Sequence, residues 1–134
     1  MAHFAELDSN NTVKRVVVIS NNKIINAEGT EDESVGIGFC RSLYGENTNW
    51  KQTSYNGNMR KSYAGIGMVY NESLNMFITR QPYSSWTLDS NGDWNPPIEK
   101  PALTEGQIGH YQWNETAYQS DNTTGWEFID TSSN

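Results

Sequence analysis

The chain has 134 residues and a formal net charge of −7, so it can bury one core but is too acidic to favour nucleic acid or anionic lipid as a partner. Its one cysteine, Cys40, excludes an intrachain disulfide and a zinc site made of cysteines. The first residues lack the basic and apolar regions of a signal peptide, and no apolar run approaches the roughly 20 residues that cross a bilayer. We therefore expect a protein made in the cytoplasm that contacts neither nucleic acid nor membrane.

An N-terminal β-hairpin is the first predicted element. Residues 4–7 form its first strand, and the β-branched run at residues 12–20 forms the second. Residues 8–11 between them bond readily to their own backbone or tolerate positive φ, which is typical of a turn. Asn21 and Asn22 end the second strand.

A short helix is predicted after an acidic loop at residues 26–33. Ser34 is a suitable N-cap, and Gly45 a suitable end. Apolar residues between them recur at helical spacing, at Ile37, Cys40, Leu43 and Tyr44. Because Gly36 and Gly38 each cost about 1 kcal/mol relative to alanine inside a helix, we expect only one or two turns.

The rest of the chain predicts strands and hairpins that are rich in aromatic residues. A strand at residues 50–55 leads into Asn56-Gly57, a dipeptide typical of tight hairpin turns. Three further units place a polar turn between two aromatic segments, at residues 68–78, 85–94 and 111–118, the last followed by an aromatic segment at 126–128. Aromatic pairs that face each other across such strands contribute about 0.2–1 kcal/mol each.

Together these elements predict a mainly β fold. We expect a small antiparallel sheet or sandwich with hairpins and one short helix, followed by a C-terminal aromatic β-hairpin module. Prolines at 96, 97 and 101 make residues 95–101 an extended connector. The predicted domains are a β-rich core at residues 1–95 and a proline-linked hairpin module at residues 96–134, with a polar tail that frays.

No motif in the sequence nominates a catalytic residue, a cofactor or a set of metal ligands. Residues 89–93 begin like a calcium-binding loop, but Trp94 stands where that loop needs glycine and Lys100 where it needs glutamate. A hairpin turn is the better interpretation. A catalytic thiol at Cys40 would need a neighbouring base, and the two histidines lie in no motif. We expect a protein that binds rather than one that catalyses.

Aromatic residues are the candidate partner-binding residues, because protein interfaces are enriched in tryptophan and tyrosine. We nominate five of them: Trp50, Tyr55, Trp86, Trp94 and Trp113. The alternative for each tryptophan is a place inside its own small sheet. For Trp86 and Trp94 in particular, the sequence leaves both roles open.

Several segments resemble a family of small virion-associated structural proteins from marine cyanophages and related tailed phages. The segments are residues 4–8, 13–19, 36–40, 50–58, 60–67 and 82–88. The Trp-Lys-Gln-Thr-Ser-Tyr-Asn-Gly block that starts at Trp50 is fairly specific, and the likeness extends over residues 3–97. The family offers no catalytic residue to carry over.

The resemblance implies a virion protein whose partners are other virion proteins. Its expected place is the outside of the capsid, as a decoration, knob or cement protein bound to the major capsid protein. The alternatives are a tail, neck or fibre accessory protein with receptor contact, and a host-directed binding protein. Inserts at residues 46–49 and 121–124 depart from the family pattern and could adjust contacts to a particular partner. The oligomeric state is left open.

Overall fold

The computed structural model describes residues 1–57 and 59–132, and over these residues the chain is mainly β. The predicted fold class, with small antiparallel sheets, a helix and a C-terminal hairpin, is confirmed. The described strands and α-helices are β1 (Ala2–Leu7), β2 (Val13–Ile19), α1 (Glu33–Tyr44), β3 (Asn49–Thr53), β4 (Val69–Asn71), β5 (Met76–Ile78), β6 (Thr87–Leu88), β7 (Trp94–Asn95), β8 (Gly109–Trp113), α2 (Glu115–Ser120) and β9 (Trp126–Asp130).

The chain divides into two compact units. Unit 1 comprises residues 1–80 and 90–93, and unit 2 comprises residues 81–89 and the chain from Trp94 onward. The domain boundary predicted after residue 95 stays a prediction.

Unit 1 is built on a three-stranded antiparallel sheet with β1 in the middle, in the order β2-β1-β3. The turn between β1 and β2 forms as predicted. The Asp8 carboxylate accepts hydrogen bonds from the N–H groups of Asn10 (2.8 Å) and Thr12 (2.9 Å), and Asn11 adopts a φ of 62°. Near the end of β1 the register with β2 shifts by one residue.

Helix α1 is longer than predicted and has a different N-cap. The Asp32 carboxylate accepts a hydrogen bond from the Ser34 N–H (2.9 Å), so Asp32 caps the helix and the prediction of Ser34 was wrong. The helix has 12 residues, more than three turns, because packing of its buried side on the sheet outweighs the low propensity of its glycines. None of the described helices is long and apolar enough to cross a membrane.

The sheet of unit 1 carries a buried core on each face. One core contains Ala2, Phe4, Ile19, Ile24, Cys40 and Trp50, and the other contains Ala5, Leu7, Val13, Ala64, Tyr70 and Phe77. Successive residues of a strand point to opposite faces, so Phe4 and Ala5 serve different cores. Helix α1 covers the first core, and the segment from residue 64 to β5 covers the second.

The hairpin of β4 and β5 forms as predicted. Tyr70 lies opposite Phe77, and their ring centroids are 5.3 Å apart. This is the cross-strand aromatic contact expected for the first aromatic unit.

The prediction of a hairpin at Asn56-Gly57 was wrong. Residues 54–57 do make a turn, closed by the Gly57 N–H bonding to the Ser54 carbonyl at 3.0 Å. However, β3 pairs with β1, and the described residues 59–68 after this turn form no strand. A turn signal reports where the chain reverses, whereas the partner of a strand is set by long-range packing.

Unit 2 contains the hairpins β6–β7 and β8–β9. Across β8–β9, Tyr111 faces Phe128 and Trp113 faces Trp126, with ring centroids 5.5 and 5.1 Å apart. These pairs confirm an aromatic hairpin at the C-terminal end of the chain.

The connection between β8 and β9 differs from the sequence prediction. A second strand was expected near Tyr118, but residues 115–120 form α2. The Asn114 side chain accepts a hydrogen bond from the Ala117 N–H (2.9 Å) and so starts a helical turn. The strand partner is therefore β9. Residues 96–108 form no helix or strand, and the predicted fraying tail lies partly outside the described residues, at 133 and 134.

Candidate functional site

Two tyrosines and a histidine form an aromatic cluster at the surface of unit 1, in which Tyr55 is exposed and His3 and Tyr63 are half-buried. Tyr55 follows β3 and is 71% exposed. Its ring centroid lies 6.0 Å from that of His3 and 5.4 Å from that of Tyr63, and the rings of His3 and Tyr63 are 5.5 Å apart. We call these three residues the tyrosine surface. Such rings are the side chains that protein interfaces tend to bury.

A shallow depression of about 190 Å³ adjoins the tyrosine surface. His3 and Tyr55 line it together with the methionines Met1 and Met59. Methionine is flexible and polarizable, so it adapts to the shape of a partner. The rings of the tyrosine surface therefore lie beside deformable thioether side chains.

The register between β1 and β3 brings the tyrosine surface together. His3 pairs with Thr53, two residues before Tyr55. Thr53 is buried, and its Oγ1 accepts a hydrogen bond from the Ala64 N–H at 2.9 Å. This bond holds residue 64 at the end of β3 and places the preceding Tyr63 beside Tyr55.

The sequence nominated Tyr55 but missed His3 and Tyr63. His3 lies in no motif, and Tyr63 lies in a segment without strand or helix. Only strand pairing, a long-range feature, makes them neighbours of Tyr55.

Trp50 and Trp113 are buried, with 3% and 5% of their surfaces exposed. The Trp50 Nε1 donates a hydrogen bond to Thr48 Oγ1 (2.7 Å), and the Trp113 Nε1 donates one to the Glu115 carboxylate (2.9 Å). Each ring therefore supports the core of its own unit, as the alternative interpretation proposed. A partner-binding role for these two residues stays a prediction.

Trp86 and Trp94 are both partly buried in unit 2. They do not face each other across the β6–β7 hairpin, because Leu88 lies opposite Trp94. Trp86 instead lies against Trp113 and Trp126, with ring centroids 6.0 and 6.1 Å away. Among the described residues its buried Nε1 has no hydrogen-bond partner.

The Glu115 carboxylate joins several parts of unit 2. It accepts hydrogen bonds from Ser85 Oγ (2.6 Å), Trp113 Nε1 (2.9 Å), Gln119 Nε2 (2.7 Å) and Ser84 Oγ (2.9 Å). These bonds, with that from Ser85 the strongest, lower the pKa of Glu115 to about 2. A carboxylate held so firmly in its charged form is a poor general acid or base at neutral pH. Its role is to tie residues 84 and 85 to α2.

Cys40 has the environment of a structural thiol. It is fully buried beneath the surface of unit 1, and burial, followed by the charge of Glu6, raises the pKa of its thiol to about 11. The thiolate is the nucleophilic form of cysteine, and it is scarce at neutral pH when the pKa is this high. Cys40 therefore packs as a small apolar residue.

The residues that resemble the start of a calcium loop have other partners. The Lys61 ammonium lies 2.7 Å from Asp93 Oδ1, and the Asn95 amide donates to Asp89 at 2.8 Å. In the described part of the chain, no three His, Cys, Asp or Glu side chains are placed to hold a metal ion. Gly92, with a φ of 78°, fits the hairpin-turn interpretation.

Comparisons of the chain with protein-family models, with curated proteins and with solved structures found no match. A functional proposal therefore rests on the geometry of the tyrosine surface and on the sequence resemblance.

Proposed function

We propose that this protein is a structural component of a phage virion that decorates the outside of the capsid and docks through the tyrosine surface. The observation that carries the proposal is the meeting of two segments that bear the family resemblance, residues 50–58 and 60–67. The first supplies Tyr55 and the second supplies Tyr63, and their ring centroids are 5.4 Å apart. The resembling segments thus provide the exposed ring of Tyr55 and the half-buried ring of Tyr63 beside it.

The tyrosine surface has the chemistry of a contact site. A tyrosine ring offers a large apolar area with few rotatable bonds, and its hydroxyl can bond to a partner. The buried hydrogen bond between Thr53 and Ala64 orders the backbone beneath the rings. Because this backbone is already ordered, docking loses less conformational entropy than it would from a flexible loop.

The acidity of the chain suits a place on the outer face of a shell. A net charge of −7 keeps free copies soluble and disfavours contact with packaged DNA. Docking on the major capsid protein would then depend mainly on apolar contact. Binding of this kind needs no catalytic group.

The stoichiometry of the protein in purified virions tests this proposal. Quantitative mass spectrometry against the major capsid protein should give a copy number on the order of the number of shell subunits or capsomers. A number near that of a tail or neck ring would favour the tail, neck or fibre alternative. Absence from the particle would refute both virion roles and favour a host-directed binding protein.

The docking surface is tested by Tyr55→Ala. Truncation of an interface tyrosine commonly reduces affinity by about tenfold or more, so the variant should bind virions stripped of the protein at least tenfold more weakly. Leu43→Ala is the matched control, because Leu43 is 61% exposed and lies in α1. Helix α1 covers the face of the sheet to which Phe4 points, whereas the His3 side chain points to the opposite face. Equal binding by both variants would exclude the tyrosine surface as the docking site.

A further inference from the structure

The two outer strands of the unit 1 sheet, β2 and β3, differ in whether other groups cover their free edges. On β3, the Gln52 N–H donates to Glu33 Oε2 at 2.6 Å, and the Gln52 carbonyl accepts from Arg60 Nη1 at 2.7 Å. Glu33 and Arg60 also pair with each other, at 2.6 and 3.0 Å. Two side chains therefore occupy the backbone groups that a further strand would need, and this edge is closed at Gln52.

The free edge of β2 can be read from the same contacts. Directly opposed residues of antiparallel strands alternate between bonded and non-bonded pairs. The backbone groups of Gln52 point away from β1, so those of Phe4, which lies opposite Gln52, point towards β2. Val17 lies opposite Phe4 on β2, and its backbone groups therefore point inwards, towards β1. The backbone groups of Val16 and Val18 consequently point outwards.

Within the described part of the chain, these outward groups make no backbone hydrogen bond. The edge of β2 is covered only at its start, where the Val13 N–H and carbonyl bond to Met68 (2.8 Å) and Gly67 (3.0 Å). In the described part of the chain, residues 15–19 make no backbone hydrogen bond outside the sheet. Val18 is also 53% exposed. Natural proteins rarely leave an uncharged β-branched edge uncovered, because it invites another strand.

We propose that β2 pairs with β2 of a second copy of this chain, in antiparallel fashion around a two-fold axis at Val17. Val16 of each copy then lies opposite Val18 of the other, and both carry outward backbone groups, so four hydrogen bonds form. The three-stranded sheets join into one six-stranded sheet. The exposed Val18 side chain gains an apolar neighbour. This inference stands independently of the proposed virion role.

The distribution of charge along β2 favours a second copy as the occupant. Both cations of the strand, Lys14 and Arg15, lie at one end, and residues 16–19 carry no charge. In the proposed register Lys14 faces Ser20 and Arg15 faces Ile19 of the other copy, so like charges do not meet. Glu6, 2.8 Å from Arg15, further neutralises the basic end. The strand is thus complementary to itself in the antiparallel direction.

The full chain tests the proposal by sedimentation velocity over a range of concentrations. We expect a dimer for the natural sequence and at least a tenfold weaker dimer for Val18→Lys. Leu103→Lys makes the same charge change at a site in unit 2 that is 50% exposed, and it should leave dimerisation unchanged. Circular dichroism confirms that both variants are folded. A chain that stays monomeric at hundreds of micromolar, or a dimer that Val18→Lys does not weaken, would overturn the proposal.

A cysteine cross-link provides a second, independent readout. Opposed residues of a non-bonded antiparallel pair have Cα atoms about 4.5 Å apart, within reach of a disulfide. Val17→Cys should therefore give a covalent dimer on oxidation, whereas Leu103→Cys should not. The natural Cys40 is fully buried and should not interfere. Failure of Val17→Cys to cross-link faster than Leu103→Cys would overturn the proposed register.

Discussion

Gly36 and Gly38 lie two residues apart in α1, but packing requires a missing side chain at only one of them. A Cβ at Gly36 would overlap the buried Phe4 ring and lie 2.9 Å from Ile24 Cγ2. A Cβ at Gly38 would meet nothing within 4 Å. The helix approaches β1 closely because position 36 has no side chain, whereas glycine at position 38 only lowers helix propensity.

The two glycines therefore predict opposite effects of the same substitution. Gly36→Ala should lower the free energy of unfolding by about 1–3 kcal/mol, because an overpacked core must shift. Gly38→Ala should raise it by about 0.5–1 kcal/mol through higher helix propensity. Urea denaturation followed by circular dichroism measures both values. Equal effects at the two positions would show that helix propensity, and not contact with Phe4, determines how these substitutions change the free energy of unfolding.

Glu115 predicts a stability difference that depends on pH. Its pKa falls from an ordinary value of 4.5 to about 2 in the folded chain, so its stabilising effect is fully present above pH 4.5 and is lost as the pH falls towards 2. Glu115→Gln should therefore unfold at lower urea concentration than the natural chain at pH 7, and the gap should narrow below pH 4.5. Tryptophan fluorescence reports the transition, since Trp113 donates to this carboxylate. A gap that is constant between pH 7 and pH 2.5 would contradict this role.

At the scale of secondary-structure elements, the pair of Glu33 and Arg60 acts as a substitute for a strand beside β3. Burial tends to raise the pKa of Glu33, but the hydrogen bonds from Arg60 and Gln52 and the charges of Arg60 and Lys51 outweigh it and lower the pKa. The carboxylate therefore stays charged and bonded to Gln52. The pair links α1, β3 and the loop before β4.

Arg60→Ala should open the β3 edge and destabilise unit 1. The substitution leaves the Gln52 carbonyl and the Glu33 carboxylate without their cation, which costs about 2–4 kcal/mol when such groups are partly buried. Arg80→Ala makes the same charge change at an exposed position and should have little effect. Urea denaturation gives the stability, and light scattering should show more aggregation for Arg60→Ala. If the two variants were equally stable, the ion pair of Glu33 and Arg60 would not be what stabilises the edge of β3.

At the scale of the whole molecule, net charge opposes self-association while one strand favours it. Two chains of charge −7 repel each other, and this repulsion acts over the Debye length, about 30 Å at 0.01 M salt and about 8 Å at 0.15 M. The strand edge that we propose as the contact carries no acid. Salt therefore screens the repulsion more than it weakens the contact.

The proposed dimer should consequently tighten as salt is added. We expect its dissociation constant to fall several-fold between about 0.01 and 0.15 M salt, because the long-range repulsion is screened. Sedimentation at the two salt concentrations measures the change, with Val18→Lys as the variant that should stay largely monomeric in both. A dimer that weakens with salt would be held by opposite charges and would require a different interface.

Local sequence was sufficient for most of the elements. The hairpin of β1 and β2, the helix that ends before Gly45 and the hairpin of β4 and β5 each depend on turn residues and apolar spacing that lie within a few positions of one another. Local sequence was not sufficient to predict which strands pair, which residue caps α1, or that a helix forms where a strand was expected. The turn at Asn56-Gly57, the cap at Asp32 and the helix α2 are the examples.

The sequence by itself determined the acidic charge, the mainly β fold class and Tyr55 as a contact candidate, because these follow from composition and local pattern. Only the tertiary structure decided that Trp50 and Trp113 are buried, that His3 and Tyr63 join Tyr55, and that Gln52 is covered while Val16 and Val18 are open. Each of these outcomes depends on which strands lie side by side. That pairing is set by the burial of two cores on one sheet, a property of the whole unit and not of any segment within it.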